Sequence, residues 1–133
     1  MKTSFTLSVT FPAPPAVVFR AWMSSTEHGA MTGSPAKIDA RLGGKFTAWD
    51  GYISGKTLEL AAGRRVVQAW RTTEFPTEAP DSRLEVRFDP SGTGTKLLLT
   101  HSNIPPDQVE SYRSGWEESY FGPMREYFSG RAS

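Results

Sequence analysis

Apolar and polar residues alternate at the start of this chain, where Phe5, Leu7, Val9 and Phe11 are interleaved with Ser4, Thr6, Ser8 and Thr10. A strict period of two predicts a half-buried first strand, because successive side chains leave a strand on opposite faces. A different period governs the last quarter. Val109, Tyr112, Trp116, Tyr120 and Met124 recur at steps of three and four, which predicts one long aromatic helix over 105–128. The bulky rings of that face are separated by small residues such as Gly115 and Ser119, so the seam between helix and sheet is a natural place for a cavity. Gly122-Pro123 should kink or break the helix near its end, leaving 124–128 as a separate last turn or two. Proline lacks the amide proton and would clash with the carbonyl of Ser119, costing roughly 3 kcal/mol in a helix interior.

Between these two patterns lie short elements and tight turns. Pro12, Pro14 and Pro15 stop the first strand, and Pro15 suits the first position of a helix that carries Val18 and Trp22 one turn apart. Ser24, Ser25 and Thr26 supply caps for a second short helix ending near Gly33. A meander follows. Strands are predicted over 36–41, 45–49, 52–60, 65–73, around Leu84, Val86 and Phe88, and over 96–102. Gly43-Gly44, Asp50-Gly51, Ala61-Ala62-Gly63 and a Pro/Gly-rich stretch over 89–95 supply the turns, and 75–82 is the longest loop. The order is strand, two helices, six antiparallel strands and a long helix, hence an α+β fold. A seven-stranded sheet with one solvated face must cover the other, and only the final helix is long enough to do it.

Length and charge narrow the field. A chain of 133 residues fits one domain, residues 1–133, with no linker or repeat. Fifteen basic against 14 acidic residues lack the concentrated basic face of a nucleic-acid binder; Arg64, Arg65 and Arg71 read as solvated strand edges. The absence of cysteine excludes disulfides, thiolate catalysis and cysteine metal sites. No apolar run approaches the roughly 20 residues of a membrane span, and Met1-Lys2-Thr3-Ser4 leads straight into the first strand without a signal-peptide core. The expected location is cytoplasmic.

Candidate chemistry is sparse. His28 sits in a polar stretch beside Glu27 and is expected on the surface, whereas His101 shares strand parity with Leu97 and Leu99 and should point toward the helix. His101 then either bonds backbone or water in the core or offers a polar contact to a ligand. No His/Asp/Glu grouping has metal-ligand spacing, no Gly-x-Ser-x-Gly occurs, and Gly43-Gly44 and Gly92-Thr93-Gly94 are too short to cradle a phosphate. No cofactor or metal is called for. Glu110, Glu117, Glu118 and Glu126 lie mostly off the apolar stripe, and Asp39 and Asp50 sit at strand ends, so no acid–base pair assembles. Trp22, Trp49, Trp70 and Trp116, with Tyr52, Tyr112 and Tyr120, offer rigid apolar walls with polar tips, the usual lining of a small-molecule pocket.

Gly43-Gly44-Lys45-Phe46, Asp50-Gly51 with Ser54-Gly55, Trp70-Arg71 at a strand end, Ile104-Pro105, Gly115-Trp116 and Tyr120-Phe121 together carry a family likeness. Over nearly its whole length the chain resembles the C-terminal domain of the activators of the Hsp90 chaperone ATPase, within the START-like (SRPBCC, helix-grip, Bet v allergen-like) superfamily. The resemblance implies a sheet wrapped around the C-terminal helix with a hydrophobic cavity between them. That superfamily holds lipid binders, enzymes and co-chaperones, so fold alone does not choose. The leading expectation is a non-catalytic domain whose cavity takes a hydrophobic or lipid-like small molecule, lined by Met31, Phe46, Trp70, His101, Trp116, Tyr120 and Met124. A second is a module that binds an Hsp90-type chaperone. A third is a small cyclase- or hydrolase-like cavity enzyme depending on His101 and nearby hydroxyls.

Overall fold

The structure is a computed structural model that describes residues 3–132, with side chains through Ser129. β1 (Phe5–Phe11) follows the predicted alternation without exception, its odd residues buried and its even ones exposed. Two short helices come next, α1 (Pro15–Met23) and α2 (Ser25–Thr32). Ser24 ends one and starts the other: its Oγ accepts from the Glu27 N–H at 3.2 Å, the N-cap bond that prevents α1 and α2 from merging. α2 stops at Gly33, whose φ of 78° is open to glycine at little cost.

Six strands complete the sheet: β2 (Lys37–Ile38), β3 (Lys45–Ala48), β4 (Ile53–Ala61), β5 (Arg65–Thr72), β6 (Ser82–Ser91) and β7 (Gly94–Ser102). The strand order is β1-β7-β6-β5-β4-β3-β2, antiparallel throughout. β1 therefore pairs with the last strand, and α1 and α2 carry the chain from one edge of the sheet to the other. On the inner face Trp70, Leu84, Val86, Phe88, Leu97, Leu99 and His101 are all buried. Gly55 stands opposite Trp70, and a Cβ there would lie 1.9 Å from the Ala69 oxygen and 2.7 Å from the Phe46 ring. Only glycine lets Phe46 lie that close to β4. The outer face is polar, with Arg65 between Glu59 and Glu85, and Arg71 bonded to Asp81.

The C-terminal helix lies across the inner face. A short 3-10 turn (Pro106–Gln108) leads into α3 (Val109–Gly115), a π-helical segment (Trp116–Phe121) and α4 (Gly122–Ala132). Val109, Tyr112, Trp116, Tyr120 and Met124 are buried as one stripe. Fully burying a side chain of this size contributes roughly 1.5–3 kcal/mol. At the far end Phe128 packs on Phe11, their ring centres 5.3 Å apart. This is the helix-grip fold.

Four local expectations need correction. The helix neither kinks at nor ends just beyond Pro123; the irregularity lies one turn earlier, where the Gly122 N–H reaches the Glu117 carbonyl five residues back. Widening that turn relieves the crowding the proline ring would cause, and α4 runs on to Ala132. The strand expected over 36–41 is only Lys37–Ile38, because Asp39 to Gly44 fold into turns closed by Arg41 N–H to Asp39 O and Gly44 N–H to Arg41 O, at 2.8 and 2.9 Å. The turn expected over 89–95 shrinks to Gly92-Thr93, since β6 and β7 pair as far as Ser91 and Gly94. Pro90 is tolerated there because β5 has already ended opposite Arg87, so β6 has one neighbour. His28, expected on the surface, is 4% exposed. It shares the inner side of α2 with Met31, and hydrogen bonds to both ring nitrogens make its burial tolerable.

Candidate functional site

Aromatic rings from five elements meet under the helix. Trp70 comes from β5, His101 from β7, Tyr112 from α3, Trp116 and Tyr120 from the π segment, and Trp22 from α1. Trp116 touches Trp22, Trp70, His101 and Tyr120, with ring centres 4.7–6.1 Å apart. His101 is wholly enclosed. The Trp116 indole N–H donates to its Nδ1 at 3.1 Å, so the ring proton sits on Nε2 and donates to Ser82 Oγ at 2.8 Å. Ser82 in turn donates to the Trp70 carbonyl at 2.7 Å. Burial drives the His101 pKa down to about 3, and protonating Nδ1 would set two N–H groups against each other.

His28 forms a second closed chain. Its Nδ1 lies 2.9 Å from the Trp22 carbonyl, which can only accept, so Nδ1 carries the proton and Nε2 accepts from the Tyr120 hydroxyl at 2.8 Å. Burial lowers the His28 pKa and raises that of Tyr120 above the ordinary phenol range. Both histidines are thus held neutral with both nitrogens engaged, and neither is a free base.

The deep interior is nearly full. A void of about 10 Å³ bounded by Trp22, His28, Phe46, Gln68, Trp70 and Leu84, among others, is too small for a ligand. The space lies further out, in a groove of about 390 Å³ between the C-terminal helix and the β3–β4 hairpin. Trp49, Tyr52 and Ile53 form its hairpin wall, Trp70 its floor, and Ser111, Tyr112, Gly115, Trp116, Ser119 and Tyr120 its helix wall. Trp49 and Asp50 hold positive φ values of 53° and 56° before Gly51 at 91°. A bulky residue in the left-handed region is strained by about 1–2 kcal/mol, and such strain concentrates at functional sites.

Polar groups gather at one end. The Tyr112 hydroxyl donates to Gln108 Oε1 at 2.5 Å and lies 2.6 Å from Thr72 Oγ1. The Tyr52 hydroxyl donates to a Glu74 carboxylate oxygen, and Gln108 Nε2 donates to the Glu74 backbone oxygen at 3.0 Å. Partial burial, reinforced by the hydrogen bond to Glu74, pushes the Tyr52 pKa up to about 12. Among the described residues, no group of three or more His, Asp or Glu could hold a metal ion. A second depression of about 400 Å³ between α1 and β4, lined by Phe19, Met23, Leu60 and Ala62 among others, gathers fewer hydrogen-bonding groups.

Of the seven residues expected to line a cavity, Trp70, Trp116 and Tyr120 line the groove. Phe46 borders only the small inner void, while Met31, His101 and Met124 border neither space and pack in the core. The groove adds Trp49, Tyr52, Ile53, Ser111, Tyr112, Gly115 and Ser119 to that set. Ser111, Gly115 and Ser119 recur every four residues, a small-residue stripe beside the aromatic one that marks the groove wall in the sequence.

A family profile described as "Activator of Hsp90 ATPase homolog 1-like protein" matches residues 12–129. The chain belongs to this family. Among curated relatives, the human "Activator of 90 kDa heat shock protein ATPase homolog 1" is 30% identical over 123 residues, which is 92% of this chain and 36% of the human protein. The chain thus spans about a third of the length of the curated activators it matches. Among solved structures, an HSP90 activator from Plasmodium falciparum superposes with a TM-score of 0.83 at 28% identity, covering 96% of each chain. CalU16 from Micromonospora echinospora superposes with a TM-score of 0.74 at 27% identity, covering 97% of this chain and 74% of the other.

Proposed function

We propose that this domain is a non-catalytic binding module whose groove beside the C-terminal helix takes a small apolar or lipid-like molecule. Gly115 carries the reading. It sits in ordinary helical conformation, and a Cβ built there would meet no atom within 4 Å. Neither backbone geometry nor packing among the described residues calls for glycine, yet glycine in a helix is roughly 1 kcal/mol less favourable than alanine. What the missing side chain leaves is open groove. The strained Trp49 on the opposite wall supports the same reading. Mass spectrometry of an organic extract of the purified protein, with titrations against fatty acids and aromatic compounds, tests it. A bound molecule lost on Gly115→Leu is expected; a protein that stays empty and indifferent to every class would overturn the reading.

A second reading is favoured by the relatives' names: a contact with an Hsp90-type chaperone, in the cytoplasm. It rests on the human and Plasmodium proteins being described as activators of that chaperone. NMR titration of the domain with such a chaperone, alongside its ATPase rate, tests this reading. Localised shift changes are expected; unperturbed spectra and an unchanged rate would remove it. No catalytic step is proposed, because His101, the residue an enzyme reading depends on, is fully enclosed with both ring nitrogens bonded.

A further inference from the structure

The groove has a charge character as well as an apolar one. Six aromatic rings line it, from Trp49, Tyr52, Trp70, Tyr112, Trp116 and Tyr120, and among the described residues no lysine, arginine or histidine does. Aromatic rings present a negative face, and several around one space attract a cation that has little to lose in hydration. A carboxylate stands beside the lining, bonded to one of its residues. Glu74 is exposed, one of its oxygens accepts from the Tyr52 hydroxyl, and it takes part in none of the ion pairs among the described residues. Arg71, the cation next to Trp70 in sequence, is committed elsewhere: it bonds Asp81 at 2.8 Å and the carbonyls of Pro76 and Ala79 at 3.1 Å. Burial first, and after it the negative charges of Glu74 and Asp107, raise the Tyr112 pKa, in keeping with a negative field at this end.

Taking the groove as the ligand site, as proposed above, we infer that its ligand is an apolar or aromatic molecule bearing an organic ammonium group, with the ammonium held among the tryptophan and tyrosine rings beside the Glu74 carboxylate. An alkylated ammonium suits this site better than a metal ion or primary amine. It is weakly hydrated, needs no set of oxygen ligands, and presents methyl groups to the rings. A fatty-acid carboxylate would meet Glu74 as a like charge with no basic group in the lining to receive it. The inference thus selects within the apolar class rather than widening it.

Phenyltrimethylammonium and tert-butylbenzene have the same shape and differ by one charge, so tryptophan fluorescence titration of the full chain with each at pH 7 isolates the charge. The cation is expected to bind about tenfold more tightly. Glu74→Gln should reduce that preference severalfold while leaving tert-butylbenzene unchanged, and Gly115→Leu should weaken both. Equal or weaker binding of the cation, with tert-butylbenzene still sensitive to Gly115→Leu, overturns the cation inference and leaves the groove reading standing. Binding of neither probe also overturns the cation inference, and the groove reading then stands or falls on the extraction and fatty-acid titrations above. Glu74→Gln alters an exposed loop side chain and Gly115→Leu places a good helix former into open space, so both variants should fold.

Discussion

The indole N–H of Trp116 donates to Nδ1 of His101 at 3.1 Å, and this bond ties the C-terminal helix to the last strand while fixing which imidazole nitrogen carries the proton. It also turns a residue that suggested chemistry into part of the core. The histidine's remaining N–H passes to Ser82, and the serine's hydroxyl ends on the Trp70 carbonyl. The chain of bonds is complete, with no donor or acceptor left over.

That arrangement makes stability depend on pH. The His101 pKa is lowered to about 3 when folded against 6.5 when unfolded. Above pH 6.5 neither state binds the proton and the stability is fully present. As pH falls below 6.5 the unfolded chain takes up a proton that the folded chain refuses, so stability is lost progressively down to about pH 3. At pH 5 the expected loss from His101 is about 2 kcal/mol. His28, lowered chiefly by burial, acts in the same direction. Glu85, held below its ordinary 4.5 chiefly by its hydrogen bond to Arg65, contributes a loss only at more acid pH. Urea midpoints measured between pH 7.5 and pH 5 should fall; a flat profile would show that the folded protein accommodates a charged His101.

Tyr120→Phe removes the hydroxyl that donates to His28 Nε2 in a place with 4% exposure. Leaving a buried acceptor unpaired costs about 1–3 kcal/mol. Equilibrium denaturation should register that loss with little change in the far-ultraviolet spectrum. An unchanged midpoint would mean that the ring nitrogen finds another partner.

Gly115→Ala should raise stability by about 1 kcal/mol, because the position is helical and its Cβ direction is empty. Thermal denaturation of the variant measures this. A destabilised Gly115→Ala would show that the glycine serves packing after all, and would weaken the argument that it keeps the groove open.

Gly55→Ala should do the reverse. Its Cβ would fall 1.9 Å from the Ala69 oxygen and 2.7 Å from the Phe46 ring, and backbone cannot retreat as a flexible side chain can. A loss of at least about 3 kcal/mol, or failure to fold, is expected. Pairing with Phe46→Leu should recover part of the loss if the ring is half the obstacle.

Much of the fold could be read from periodicity. β1 and the stripe from Val109 to Met124 follow simple periods, and both are buried as those periods require. The tips and junctions were less legible. Pro123 signals trouble in a helix, but whether the chain answers with a kink or a widened turn depends on how tightly Trp116, Tyr120 and Phe121 are already held against the sheet. His28 looked like a surface residue because its neighbours Glu27 and Gly29 are polar and flexible; its burial depends on Tyr120, 92 positions away.

The sequence by itself determined the order of elements, the inward faces of β1 and of the C-terminal helix, and the family. These follow from spacing between near neighbours, and spacing is written along the chain. The tertiary structure alone decided where the aromatic residues close up and where they stay apart. Met31, His101 and Met124 fill the interior, while Trp49, Tyr52 and Gly115 border open space. A cavity is the volume left over when elements distant in sequence fail to complete one another, and no local pattern contains that sum.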